Sequence, residues 1–214
     1  MSHAKSIAVL GAGSWGTALA IHLAQEFNTT LWSHKADHVE EMQKLRMNED
    51  YLPAIPFPEK LSVTSSLMAA VKEADAILLA IPSTAFNETL AKLRVLDIDQ
   101  WPPFISATKG IDHDDNGFLS DTFYRHFPDG RFTILSGPSF ALEVAKQHPT
   151  AIAIAGNSLD EINEVIPYFH HNTMRVYGNH DIKGVQLAGA YKNVIAIATG
   201  ISDGLGFGAN ARAA

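Results

Sequence analysis

The stretch that decides the fold is SIAVLGAGSWGTALAIHLA, which occupies residues 6–24. Its first five residues, Ser6–Leu10, are mostly apolar and predict a short buried strand. Glycines follow directly, and from Thr17 onward the apolar residues recur at helical spacing. The stretch therefore predicts a strand, a tight turn and a helix, in that order.

The turn between this strand and helix carries a G-x-G-x-x-G pattern at Gly11, Gly13 and Gly16. Gly11 permits the tight turn, Gly13 lets a pyrophosphate approach the backbone, and Gly16 lets the helix pack on the strand. The helix N-terminus, with Ser14 and Trp15 in its first turn, offers free N–H groups and positive potential to phosphates. In this context the pattern predicts a site for a nicotinamide dinucleotide, NAD(P)H.

The next 150 residues alternate between strand and helix patterns. Strands are expected at 29–32, 62–64, 76–81, 104–108, 132–136, 151–155 and 174–177, and helices at 37–46, 66–72 and 159–169. The prolines at positions 53, 56 and 58 predict a loop that begins at residue 51. Such alternation predicts an α/β fold: a Rossmann-like, doubly wound, mostly parallel sheet.

The pattern changes at Asp181. One long helix, rich in small residues, is expected from there to about Thr199, and no strand follows it. The last residues, 212–214, look like the opening of another helix. We therefore expect an NAD(P)-binding Rossmann domain at residues 1–179. Residues 180–214 are then the first helices of a truncated all-α second domain whose remainder is absent.

Composition and charge narrow the function classes. The chain has 214 residues, of which 46% are hydrophobic, so it can bury a sizeable core. Its net charge of −7 argues against general nucleic-acid binding.

The absence of cysteine excludes disulfides and thiol nucleophiles and fits a reducing cytosol. Residues 184–201 include Gln186, Lys192 and Asn193, which favour a buried helix over a membrane span. With no secretory signal at the N-terminus, a cytoplasmic protein is expected.

The residues about 20 positions beyond the glycine turn bear on the choice of cofactor. A fold that prefers NAD usually has Asp or Glu there, whereas this chain has Ser33, His34 and Lys35. His34 and Lys35 are able to pair with a 2′-phosphate, so NADPH is expected to be tolerated; the alternative is that Lys35 is merely solvated. His34 and His38 have the spacing of a helical metal pair, but they lack a third ligand and no metal site is predicted.

Two further segments follow predicted strands, where ligands bind in open α/β sheets. Lys109 comes just after the strand at 104–107, which points it toward the site unless it is a surface lysine of the loop. Gly137 and Ser139 lie in a turn after the strand at 132–136, and a helix begins near Glu143. Such a turn is able to hold an anionic or hydroxylated substrate. For Ser139, a capping role is an equal alternative.

Lys192 is the only charged residue between positions 184 and 201. At helical spacing its neighbours are Ala188, Gly189 and Ala196, whose small side chains leave a hollow beside the amine. An amine withdrawn from water gives up its proton more readily, which suits proton transfer. The alternative is a lysine that reaches the surface. Asn193 is a candidate for holding a substrate oxygen, or else bonds to the backbone.

Five segments together resemble a known family. They are GAGSWGTALA at 11–20, ATKG at 107–110, SGPSFA at 136–141, GAYKNV at 189–194 and SDGLGFGANAR at 202–212. They closely resemble the bacterial NAD(P)-dependent glycerol-3-phosphate dehydrogenases. The resemblance implies interconversion of dihydroxyacetone phosphate and sn-glycerol 3-phosphate for glycerophospholipid synthesis in the cytoplasm, with a homodimer as the candidate assembly.

The resemblance also implies roles for individual residues. Ser14, Trp15, His34 and Ala141 would contact the cofactor; Lys109 would lie between cofactor and substrate; Gly137, Ser139 and Asn193 would hold substrate; and Lys192 would be the proton acceptor in oxidation and the donor in reduction.

Family members continue into a full helical domain, which supplies an aspartate near the lysine and a serine-arginine-asparagine cluster for the substrate phosphate. For the 214 residues alone we expect cofactor binding with weak or absent turnover. Two other hypotheses stay open: a catalytically silent module that binds NAD(P)H, and a hydroxyacid or 6-phosphogluconate type dehydrogenase.

Overall fold

The computed structural model describes residues 4–114 and 116–213. Its strands are β1 (Ser6–Leu10), β2 (Asn28–Trp32), β3 (Met47–Asn48), β4 (Leu52–Pro56), β5 (Leu61–Thr64), β6 (Ala76–Leu79), β7 (Phe104–Ser106), β8 (Phe132–Ser136), β9 (Thr150–Gly156) and β10 (Met174–Asn179). Its helices are α1 (Ser14–Leu23), α2 (Ala36–Leu45), α3 (Leu67–Val71), α4 (Phe86–Arg94), α5 (Leu119–His126), α6 (Ala141–Ala145), α7 (Leu159–Phe169), α8 (Ile182–Gly204) and α9 (Ala209–Ala213).

The main sheet has eight strands in the order β10-β9-β8-β7-β6-β1-β2-β5. All neighbours are parallel except β8 and β9, which run antiparallel. β1 lies inside the sheet, with Ala8 opposite Thr30 of β2 and Ile77 of β6. The Rossmann-like, mostly parallel sheet that the sequence predicts is thus confirmed.

Apolar cores cover both faces of the sheet, because successive side chains of a strand point to opposite sides. Ile7 and Val9 of β1 belong to one core, and Ala8 and Leu10 to the other. The second core contains an aromatic cluster in which Phe123 of α5 stacks on Phe132 of β8 with ring centroids 4.2 Å apart. Two covered faces explain why these strands read as continuous apolar runs.

The segment from Tyr51 to Pro58 is not simply a loop, as its prolines had predicted. Residues Leu52–Pro56 form β4, which pairs antiparallel with β3 in a separate two-stranded sheet. Proline is tolerated there because an edge strand leaves part of its N–H groups unpaired. Helices α4 and α5 were not anticipated from the sequence at all.

The long helix α8 ends five residues later than expected, at Gly204 rather than near Thr199. A glycine inside a helix, here Gly200, costs only about 1 kcal/mol and does not end it. The helix ends where Gly206 adopts a left-handed backbone with φ +74°, and the Phe207 N–H bonds to the Ser202 carbonyl. No helix among the described residues has the length and apolar character needed to cross a membrane.

The connection between β10 and α8 falls at residues 180–181, where we expect the first domain to end. No strand follows it within the described residues, and α9 begins at Ala209 as the second helix. The division into residues 1–179 and 180–214 stays a prediction.

His22 of α1 is a buried histidine that makes the fold sensitive to acid. Its ring stacks on that of His171 with centroids 4.1 Å apart, and its Nε2 lies 3.1 Å from the Phe169 carbonyl oxygen. Burial, and secondly the charge of His171, lowers the pKa of His22 from 6.5 to about 4. The unfolded chain therefore binds a proton at a higher pH than the folded chain does.

Folding stability is expected to fall as the pH drops through 6.5 toward 4, because protons then favour the unfolded chain. At pH 5 the lowered pKa of His22 reduces the free energy of unfolding by about 2 kcal/mol. A His22→Gln variant keeps a donor for the Phe169 carbonyl and should lose correspondingly less stability between pH 7 and pH 5. Urea unfolding at both pH values measures this, with the exposed His148→Gln as control. Equal acid losses in the wild type and His22→Gln would assign the sensitivity to other groups.

Candidate functional site

The carboxyl ends of the parallel strands β1, β2, β6 and β7 meet at one edge of the sheet, where a cavity of about 590 Å³ opens. The predicted cofactor residues that line it are Gly11, Gly13, Ser14, Trp15, His34, Lys35 and Lys109. Residues of α4 and Tyr51 also line it. The sequence therefore brings most of its predicted cofactor residues to one cavity.

The three glycines of the turn have different surroundings. Gly11 has φ +118°, and a side chain there would collide with the Ala80 carbonyl. A side chain at Gly16 would collide with the Gly11 carbonyl, so α1 packs closely on the turn and Gly16 does not face the cavity. A Cβ at Gly13 would meet no heavy atom within 4 Å. The turn thus leaves open space at Gly13, next to the N–H groups of the first turn of α1.

One end of the cavity has a basic rim. His34 and Lys35 are exposed there, and Lys92 of α4 lies across from them. The carboxylate on this rim, Glu88, is bound by Lys92 at 2.7 Å. The hydrogen bond and charge of Lys92 lower the pKa of Glu88, and His34 contributes a smaller effect in the same direction. Because Lys92 pairs with Glu88, this rim repels a phosphate less than it would with an unpaired carboxylate. The rim therefore suits a ligand with an additional phosphate.

His34 and His38 do not act as a pair. His38 is buried, and its ring nitrogens lie 3.3 Å from the Ser33 hydroxyl and 3.0 Å from the Asn48 side-chain oxygen. In residues 4–114 and 116–213, no group of three His, Asp or Glu side chains is placed to hold a metal ion.

Lys109 lies between the nucleotide turn and α8 and interacts with a residue of each. Its Nζ lies 5.0 Å from the centre of the Trp15 ring. Burial, followed by the hydrogen bond and the charge of Lys192, lowers the pKa of Lys109 from 10.5 to about 8. Lys192, the charged residue singled out in the long helix, thus lies beside the cavity and not on the far side of the molecule.

The packing of α8 explains this position. Gly189 is buried against Ser136 at the end of β8, where a Cβ would lie 2.9 Å from the serine hydroxyl. Gln186 and Ser120 bond each other twice, at 2.8 and 3.2 Å, which fixes the helix to α5. Lys192 follows Gly189 by three residues and so lies on the same helix face. The neighbours Ala188 and Ala196 are exposed, so the expected hollow is open on their side.

The other predicted substrate residues lie near this edge but do not line the cavity. Gly137 packs against β9, where a Cβ would lie 3.0 Å from the Ala151 carbonyl oxygen. The Ser139 hydroxyl donates to the Gly137 carbonyl at 3.4 Å, and α6 is capped by Phe140, so Ser139 is not the helix cap. Ala141 packs against the core, and Asn193 is exposed on α8.

Trp15 carries a buried indole N–H that has no hydrogen-bond acceptor among the described residues. A buried donor without a partner costs free energy. The open space at Gly13 and the basic rim suit an elongated, phosphorylated ligand.

Sequence analysis missed several residues of the cavity. Tyr51 and Thr89 line it, as do Glu88 and Lys92. Two signals pointed to them: a charged i,i+4 pair and a tyrosine beside prolines. The charged pair lies in α4, a helix that was not predicted from the sequence.

Comparisons with known proteins agree with this geometry. A family model described as the N-terminus of NAD-dependent glycerol-3-phosphate dehydrogenase matches residues 6–161, and one described as its C-terminus matches residues 181–214. The chain belongs to the NAD-dependent glycerol-3-phosphate dehydrogenase family. Its resemblance to this family, argued above from five segments, is confirmed.

Individual members of the glycerol-3-phosphate dehydrogenase family match nearly all of this chain. A Legionella pneumophila protein named glycerol-3-phosphate dehydrogenase [NAD(P)+] is 47% identical over 213 residues, which are 98% of this chain and 63% of that protein. The crystal structure of a glycerol-3-phosphate dehydrogenase from Coxiella burnetii matches with a TM-score of 0.91 at 43% identity, covering 98% of this chain and 64% of that one. The chain therefore spans less than two thirds of the length of these relatives.

A more distant likeness concerns the fold alone. A UDP-glucose dehydrogenase from Pyrobaculum islandicum matches with a TM-score of 0.67 at 18% identity, over 94% of this chain and 51% of that one.

Proposed function

We propose that this chain binds NAD(P)H in the cavity and serves the interconversion of dihydroxyacetone phosphate and sn-glycerol 3-phosphate. One observation carries the proposal: the Lys192 amine meets Lys109, which itself lies over Trp15 of the nucleotide turn. A cofactor site and a proton-transfer group thus lie side by side at one edge of the sheet.

The residues that would hold the cofactor are those of the glycine turn and the basic rim. The N–H groups at the start of α1, beside the open space at Gly13, would bind the pyrophosphate. His34 and Lys35 would take the ribose end and tolerate a 2′-phosphate. Ala141, which the resemblance also assigns to the cofactor, would contact it from α6. When bound, the nicotinamide supplies or accepts the hydride.

The two lysines divide the remaining work. Lys109, with a pKa of about 8, carries a positive charge in most molecules at pH 7 and would attract the substrate phosphate. Lys192 would give a proton to the C2 oxygen in reduction and take it back in oxidation. Gly137, Ser139 and Asn193 would hold the substrate, as the resemblance implies.

In the family the resemblance assigns the grip on the substrate phosphate to a further helical region, so we expect this chain alone to bind cofactor with weak or absent turnover. We place the reaction in the cytoplasm, in glycerophospholipid synthesis, with a homodimer as the candidate assembly; the resemblance is the support for each. We also keep 179/180 as the boundary between the two domains.

The test is a pair of measurements on the 214-residue chain. Quenching of tryptophan fluorescence should report saturable binding of NADPH and NADH. With protein in excess, NADPH should be oxidised only when dihydroxyacetone phosphate is added. Oxidation that depends on dihydroxyacetone phosphate would exclude the silent nucleotide-binding module, and oxidation with a hydroxyacid precursor instead would favour the third hypothesis. Absence of binding would contradict the proposal as a whole.

A further inference from the structure

A continuous chain of buried hydrogen bonds runs beneath the cavity floor. Asn48 of β3 has no exposed surface, and its side-chain nitrogen donates to the Ala12 carbonyl at 2.9 Å and to the Thr17 hydroxyl at 2.8 Å. Its side-chain oxygen lies 3.0 Å from Nε2 of His38. Nδ1 of His38 in turn lies 3.3 Å from the Ser33 hydroxyl. The chain therefore connects the glycine turn to the loop after β2.

Its two ends reach the residues that face the cavity. The Lys35 N–H donates to the Ser33 hydroxyl at 3.4 Å, on the loop that carries the basic rim. The Tyr51 N–H donates to the Asn48 oxygen at 3.3 Å, and the Tyr51 carbonyl accepts from the Ser14 hydroxyl at 2.6 Å. Asn48 thus bonds directly to the turn and to the β3–β4 hairpin, and through His38 of α2 it is connected to the loop after β2.

The donors and acceptors run in one consistent direction. The Lys35 N–H donates to Ser33, and Nε2–H of His38 donates to the Asn48 oxygen, because an amide oxygen only accepts. In the tautomer with its proton on Nε2, Nδ1 of His38 accepts from the Ser33 hydroxyl. The Asn48 amide then makes four hydrogen bonds, two donated and two accepted, which is its full capacity. A fully satisfied buried network is rigid and specifies one arrangement of its members.

We infer that Asn48 is a positioning residue for the dinucleotide site. It holds the turn that would bind the pyrophosphate at a fixed distance from the loop that would bind the ribose, although it is itself too buried to touch a ligand. The inference rests on the proposed cofactor binding. An elongated ligand gains affinity when both of its contact regions are already aligned, because less ordering is needed on binding.

The primary test compares cofactor affinity with folding stability for Asn48→Ala. NADPH and NADH affinities are expected to fall about 30-fold at a temperature where the variant is fully folded. The matched control is Thr29→Val, which removes a buried hydroxyl bond to the Phe27 carbonyl on the opposite end of β2 and should leave both affinities unchanged. A merely structural Asn48 would lower the melting temperature and leave the affinity of the folded variant intact.

A second variant covers the case in which Asn48→Ala fails to fold. Thr17→Val keeps the side-chain volume, removes an acceptor for Asn48, and lies in α1 with no exposed surface. It should weaken NADPH binding about 5-fold alone and, where Asn48→Ala does fold, add nothing in that background.

The outcomes separate this inference from the proposed function. Wild-type affinity in folded Asn48→Ala, or in Thr17→Val when the first variant does not fold, overturns the positioning role and leaves cofactor binding standing. If the wild-type chain binds neither NADPH nor NADH, both are overturned.

Discussion

Replacing Lys192 with alanine is expected to slow the dihydroxyacetone phosphate-dependent oxidation of NADPH by about 10²–10⁴-fold, the usual contribution of a positioned general acid. The amine lies beside Lys109 at the cavity edge, and in our proposal Lys109 binds the substrate phosphate and does not replace Lys192 as the proton donor. NADPH affinity should change little, since Lys192 does not line the cavity. The rate is measured from the loss of NADPH absorbance in single turnovers with protein in excess.

Lys183→Ala is the matched control for this substitution. Lys183 lies on the same helix, α8, and its exposed amine is 3.6 Å from a carboxylate oxygen of Asp121. Its loss removes one positive charge from the helix without touching the cavity, so the oxidation rate should stay unchanged. An equal loss of rate in both variants would mean that general charge matters, and a normal rate in Lys192→Ala would remove the lysine from the reaction.

The sequence predicted those parts of the site that depend on local pattern. The strand, turn and helix at residues 6–24 are recognisable from 19 consecutive residues. Ligands bind at the carboxyl ends of parallel strands, and this rule correctly predicted that Lys109 lines the cavity. Lys192 was found because one charge stands out in an apolar helix. In each case neighbouring residues carry the information.

What the sequence did not predict depends on contacts between distant segments. Asn48 bonds to Ala12, 36 positions away, and β3 has only two residues, so no periodic pattern marks it. Gly137 packs closely against the backbone of β9, which its place in a turn did not reveal, and its role as a substrate contact stays a prediction. A glycine in a turn signals that something comes close, and only the packed structure shows what that is.

Replacement by alanine should have different effects at Gly16 and at Gly13 of the turn: the first should lower folding stability, and the second should lower cofactor affinity. Gly16→Ala places a Cβ against the Gly11 carbonyl and 3.1 Å from the Ala80 Cβ, between backbone segments that cannot move apart cheaply. We expect a loss of about 3 kcal/mol in the free energy of unfolding, measured by urea titration. Its cofactor binding would then fail because the fold is weakened.

Gly13→Ala should instead fold nearly normally and bind poorly. Gly13 has φ −76° and no heavy atom near the position of a Cβ, so the methyl group costs only the weaker helix cap, about 1 kcal/mol. That methyl group occupies the space through which a pyrophosphate reaches the backbone, and we expect NADPH affinity to fall about 100-fold. Because the variant nearly retains its folding stability, the loss of affinity would come from the blocked contact with the ligand and not from unfolding. A Gly13→Ala variant that binds NADPH normally would place the pyrophosphate elsewhere in the cavity.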